Sequence, residues 1–177
     1  MFKVVGIDPG LAATGVGLVK GRRGKVAAYS FGCITTAAGD PLPVRLERIF
    51  SKLTNLFDAE KPDLVVIEDA FSLKEYPKSG ISLGQVSGVV LLAVARDKTA
   101  WAGVSVREAK QVLTGNGKAT KLQLESAVRH QLGHPTAIRP FHASDALGLA
   151  LIGLMRSDER RLRPAAGRPG IRIAGSR

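Results

Sequence analysis

Four side chains in this 177-residue sequence are of the types that hold divalent cations: Asp8, Glu68, His142 and Asp145. Asp8 ends the apolar run Lys3-Val4-Val5-Gly6-Ile7-Asp8 and is followed at once by Pro9-Gly10. Glu68 ends a second such run, Asp63-Leu64-Val65-Val66-Ile67-Glu68. His142 and Asp145 stand three residues apart in Phe141-His142-Ala143-Ser144-Asp145-Ala146-Leu147, a spacing that puts both on one helical face. A carboxylate at the tip of a buried strand costs stability unless it binds something. Three carboxylates held together repel one another and hold protons above their ordinary range. A divalent cation removes the conflict. Two of them, about 3.5–4 Å apart, can activate a water and stabilise the leaving oxygen of a phosphodiester. Each residue alone also has a plainer reading: Asp before Pro-Gly is a common turn residue, and His142 or Asp145 could serve the start of a helix.

The elements that would bring the four together can be read along the chain. Residues 2–8 form a buried strand by their Val and Ile content, and residues 14–19 and 25–33 continue an antiparallel meander through the turn Gly21-Arg22-Arg23-Gly24. Pro41-Leu42-Pro43 leads into a helix over residues 44–59, where Leu46, Ile49, Phe50, Leu53, Leu56 and Phe57 make one apolar face. Residues 64–68 are then a short, continuously apolar strand. Strand, crossover helix, strand is the pattern of a parallel pair, so Asp8 and Glu68 should end side by side, about 4.8 Å apart across neighbouring strands. Further elements are a helix over 83–98, a strand over 101–106, helices over 107–113 and 118–132, and a last helix over 141–155 carrying His142 and Asp145. The helix over 83–98 is apolar on every face from Val89 to Ala95. Such a helix needs cover on both sides, from the chain's own loops or from a second subunit approaching over Gly84 and Gly88.

Composition narrows the partner. Apolar residues make up 45% and charged residues 23%, as in soluble globular proteins. The 26 Lys and Arg against 15 Asp and Glu give a net charge of +11 and point to a polyanion. No amphipathic basic helix suits a membrane surface, no signal layout opens the chain, and the longest apolar run falls far short of the roughly 18 residues of a membrane span. The lone Cys33 reads as a small buried hydrophobe, and a cytoplasmic protein is expected. From Asp158 the composition turns to Arg, Pro, Gly and Ala, so residues 1–157 read as one nuclease domain and 158–177 as a basic, disordered tail.

The blocks Gly6-Ile7-Asp8-Pro9-Gly10, Val66-Ile67-Glu68 and Ala143-Ser144-Asp145-Ala146-Leu147, with Gly84-Gln85 and Lys110-Gln111, resemble in order and spacing those of the RuvC family of bacterial Holliday junction resolvases. The resemblance covers roughly residues 2–155. It implies an α/β, ribonuclease H-like fold with a five-stranded mixed sheet flanked by helices. It further implies a homodimer that uses magnesium or manganese to make paired symmetric nicks in a four-way junction, leaving ligatable ends, in recombination and repair. A link to the RuvA and RuvB branch-migration complex is implied in the same way. His142 departs from the Asp carried by many members. Neutral imidazole gives a softer, less negative site, so a preference for manganese is expected, with activity lost as pH falls through about 6.5.

For DNA contact, Phe71 lies in a loop with Lys74, Tyr76 and Lys78, where an aromatic among cations suits stacking on an unpaired base. Its residues leave core packing equally open, and the resemblance favours stacking at the junction centre. Lys110, Lys118 and Lys121 form a second basic group around the turn Gly115-Asn116-Gly117. The resemblance places Lys110 and Lys121 near the scissile phosphate. Two other classes share parts of the pattern: a non-catalytic nucleic-acid-binding module of the same fold, and a phosphotransferase of the actin and sugar-kinase fold. The intact carboxylates oppose the first, and the lack of further Gly-rich nucleotide loops opposes the second.

Overall fold

The computed structural model describes residues 1–69 and 77–157. Five strands form one sheet: β1 (Phe2–Asp8), β2 (Ala13–Arg22), β3 (Lys25–Thr35), β4 (Leu64–Glu68) and β5 (Ala100–Val104), in the order β3-β2-β1-β4-β5. The meander β1-β2-β3 is antiparallel, whereas β4 and β5 join β1 in parallel. Five helices accompany them: α1 (Leu42–Glu60), α2 (Pro77–Asp97), α3 (Val106–Thr114), α4 (Lys121–Leu132) and α5 (Phe141–Arg156). This is the α/β arrangement with a mixed five-stranded sheet that the resemblance implied.

The central strands β1 and β4 are buried on both faces, and their alternating side chains feed two cores. Val5, Ile7, Val65 and Ile67 pack with Ile49, Leu53 and Phe57 of α1 and Val86, Val90 and Val94 of α2. Val4, Leu64 and Val66 pack on the opposite face with Leu147, Ala150, Leu151 and Leu154 of α5 and with Leu124 and Val128 of α4. The period of two has a direct consequence: Asp8 shares the α5 side with Val4, and Glu68 shares it with Leu64 and Val66.

Several boundaries differ from the sequence reading. Helix α2 starts at Pro77, a residue well suited to a first helical turn, and not at Leu83. Strand β5 stops at Val104 because Ser105 caps α3, its hydroxyl accepting from the Glu108 amide. Helix α4 begins at Lys121, after a capping box in which Thr120 and Gln123 satisfy each other's amides, so Lys118 lies in the preceding turn and not on the helix. Cys33 is half-buried and packs beside the α5-side core. Helix α2 is long and apolar enough over Gly80–Asp97 to match a membrane span in length and composition. It nevertheless contributes Val86, Val90, Ala93 and Val94 to the core, while Ile81 and Leu92 stand 65% and 59% exposed on its outer side. Within one chain that outer side is not covered.

Candidate active site

Parallel pairing runs from Val4–Leu64 to Ile7–Ile67, and one further step sets Asp8 beside Glu68 at the same sheet edge. Helix α5 then brings its first turn to that edge. It can do so because the strands beneath it present glycine. A Cβ on Gly6 would stand 1.9 Å from the Ala146 carbonyl oxygen, and one on Gly15 would stand 2.0 Å from that of His142. Helix backbone therefore rests almost directly on strand backbone, and the His142 ring reaches Asp8. The His142 Nδ1 and Asp8 Oδ2 atoms lie 2.6 Å apart, a charge-assisted hydrogen bond in which the imidazole N–H donates to the carboxylate. Asp8 is itself 7% exposed.

The electrostatics record the crowding. Burial first, then the Asp8 charge and a hydrogen bond to Asp8, push the Glu68 carboxyl up to about 9, with Asp145 adding to the rise. Burial and the Asp8 charge raise Asp145 to about 6. The hydrogen bond to Asp8 raises His142 above its ordinary value against an opposing effect of burial. Glu68 and Asp145 thus both resist ionising beside Asp8, and His142 supplies Asp8 with a hydrogen-bond donor. One oxygen is left over: Asp145 Oδ1 is buried and makes no hydrogen bond. A buried, unpaired carboxylate oxygen is costly, and a cation is the partner that best suits it.

The lysines divide. The charge of Lys121 acts on Glu68, His142 and Asp145, and that of Lys110 acts on Asp145. Lys118 is not among the groups acting on these residues, and its amide bonds the Asn116 side chain. Phe71 and Lys74 lie outside the described residues, as does the Arg-rich tail. One feature escaped the sequence reading. A cavity of about 310 Å³ opens beside Glu68, lined by Ile67, Asp69, Ser87, Leu91, Trp101 and Gly103. Its signal was available in the lone tryptophan on edge strand β5, which stands 44% exposed.

A sheet ordered 3-2-1-4-5, with helices on both faces and α5 laid across its two central strands, is the arrangement of the ribonuclease H-like class. Residues 4–153 match the family model described as crossover junction endodeoxyribonuclease RuvC. Curated relatives of that name include those of Carboxydothermus hydrogenoformans, 38% identical over 88% of this chain and 97% of theirs, and of Syntrophomonas wolfei, 38% identical over 86% and 88%. The RuvC of T. thermophilus, solved in complex with Holliday junction substrate, superposes with a TM-score of 0.80 at 28% identity, over 88% of this chain and 96% of that one. The yeast mitochondrial Holliday junction resolvase Ydc2, at 14% identity and a TM-score of 0.58, shares the fold. The chain belongs to the RuvC family of crossover junction endodeoxyribonucleases, hydrolases that resolve four-way junctions in recombination and DNA repair. The phosphotransferase and the non-catalytic module are thereby set aside.

Proposed function

We propose that Asp8, Glu68, His142 and Asp145 are the catalytic, metal-binding residues of this resolvase. The observation that carries the assignment is the meeting of Asp8, Glu68, His142 and Asp145 at one sheet edge, with one buried Asp145 oxygen unpartnered. Among the described residues no three His, Cys, Asp or Glu side chains already form a metal cage. Asp8 is instead occupied by its hydrogen bond from His142 and by that with Glu68. The donor set fits a hard divalent cation, which the family requires, and binding it would release the Glu68 proton. When bound, magnesium or manganese supplies charge for the attacking water and for the leaving oxygen of the phosphodiester. The residues supply the rest. Asp8 would hold the centre, and His142, which now donates to Asp8, would offer a ring nitrogen to the cation. Lys121 and Lys110 bring positive charge to the side where phosphate negative charge grows. The imidazole in place of a fourth carboxylate favours manganese over magnesium. Equal turnover in both at saturating ion would contradict that preference.

The substrate is a four-way junction, nicked symmetrically by a homodimer. The exposed strip of α2 around Ile81 and Leu92 is the surface that fits a second copy, and a two-fold dimer presents two identical sites to a substrate of similar symmetry. Phe71 and Lys74 would stack and neutralise at the junction centre, with Lys118 a weaker phosphate contact. The enzyme acts in the cytoplasm beside the RuvA and RuvB complex. The deciding experiment incubates the protein in manganese with labelled four-way junction, linear duplex and ATP. Paired nicks in the junction alone are expected, and Asp8→Asn should abolish them while leaving junction binding intact. Equal cleavage of the linear duplex would contradict the reading.

A further inference from the structure

We propose that Arg45, Arg48 and Lys52 form a track on α1 that holds the phosphate backbone of one junction arm leading away from the site. The three stand at positions i, i+3 and i+7 of the helix and so line one face. Arg48 and Lys52 are exposed and wall a cavity of about 470 Å³ whose other side is Cys33, Ile34 and Thr35 of β3. Lys3, Lys20, Lys61, Arg129 and Arg156 each have an acidic partner; Arg48 and Lys52 have none among the described residues. Glu47, the neighbouring acid on α1, is engaged with Ser51.

Arg45 ties the track to the active site. Its Nε donates to the Thr36 hydroxyl at 2.8 Å, and that hydroxyl donates to the Leu11 carbonyl at 2.5 Å. Leu11 lies three residues beyond Asp8, so Arg45 is tied to the turn at the active-site edge of the sheet, and the track runs from that edge along α1 on the face opposite α5. Seven residues of helix rise about 10 Å, the length of roughly three base-pair steps at 3.4 Å. Single surface cations are ordinarily only solvated. A concave wall, an aligned face and a hydrogen-bonded link to the site set these apart.

The inference rests on the resolvase reading, and the test separates the two. Junction binding is followed by fluorescence anisotropy over a range of salt in chelator, for wild type, Arg48→Ala/Lys52→Ala, and the control Arg22→Ala/Arg23→Ala at the far end of β2. Losing two phosphate contacts should weaken binding by about tenfold near 0.1 M salt and reduce the logarithmic salt slope by about 1.8. The control pair should change little, and Arg48→Lys should keep the slope. Wild-type affinity and slope in the double variant, with wild type still nicking junctions, overturn the track alone. An equal loss in the control pair overturns it too, by reducing the effect to net charge. Wild-type protein that neither binds nor nicks junctions overturns both readings.

Discussion

Replacing Asp145 with Asn should stabilise the metal-free protein, and the size of the gain follows from its surroundings. Burial and the Asp8 charge lift the Asp145 carboxyl from 3.8 to about 6. A raised carboxyl favours folding below its unfolded value and surrenders that contribution as pH rises through the folded one. The folded carboxyl is therefore protonated and neutral near pH 4, and the full cost of its charge is felt above about pH 6. About two units correspond to roughly 3 kcal/mol, reduced to about 1–3 kcal/mol because Asp145 is only partly buried. In a chain of this length that is a melting-temperature rise of about 3–8 °C. Asparagine keeps an oxygen at the unpartnered Oδ1 position, so the comparison isolates charge. Thermal melts in chelator at several values from pH 4 to 8 should show the variant's advantage opening between pH 4 and 7. Adding manganese should then raise the wild type more than the variant and narrow the gap. A variant less stable than wild type at pH 8 in chelator, or an equal response to manganese, would refute the reasoning.

The hydrogen bond from His142 to Asp8 raises the imidazole, so manganese-supported nicking should begin to fall above pH 6.5 as pH is lowered, earlier than an unperturbed histidine would dictate; rate profiles of wild type and His142→Ala should differ in that limb. Lys121 holds both Glu68 and Asp145 below where they would otherwise lie. Lys121→Ala should move the ascending limb of the pH–rate profile to higher pH and lower kcat by about tenfold or more, and a profile of unchanged position would remove Lys121 from the site. Leu92→Glu on the open strip of α2 should yield monomers in sedimentation velocity and lose paired nicking, with the far-UV circular dichroism of the wild type retained.

The adjacency of Asp8 and Glu68 was legible because an amphipathic helix returns the chain from the antiparallel meander to a short, continuously apolar strand, and chirality leaves few places for that strand other than parallel beside β1. The inward face was legible as well, since strand period fixes which side each acid takes. The approach of α5 was harder to foresee. Gly6 and Gly15 look like ordinary strand glycines until a helix is laid across them, and nothing local announces a contact between distant segments. Helix starts at Lys121 and Val106 did carry local signals, in Thr120 with Gln123 and Ser105 with Glu108; hydrophobic periodicity does not register such caps. The cationic face of α1 has no local signal, because its neighbour β3 comes beside it only through the sheet.

The glycine-floored seat of α5 has one more consequence. Asp8, Glu68, His142 and Asp145 ride on a single stiff body, because the start of α5 meets β1 and β2 backbone to backbone at Gly6, Gly15 and Gly17, and β4 is paired directly to β1. Such a body cannot flex toward a poorly placed phosphate without parting helix from sheet. The adjustment falls to the DNA, whose steps differ in how readily they kink and unstack. Where the substrate yields easily, the scissile bond arrives at low cost; where it is rigid, the same pocket waits unused. Selectivity of cutting can then reside in the softness of the nucleic acid, measured against an unyielding protein gauge.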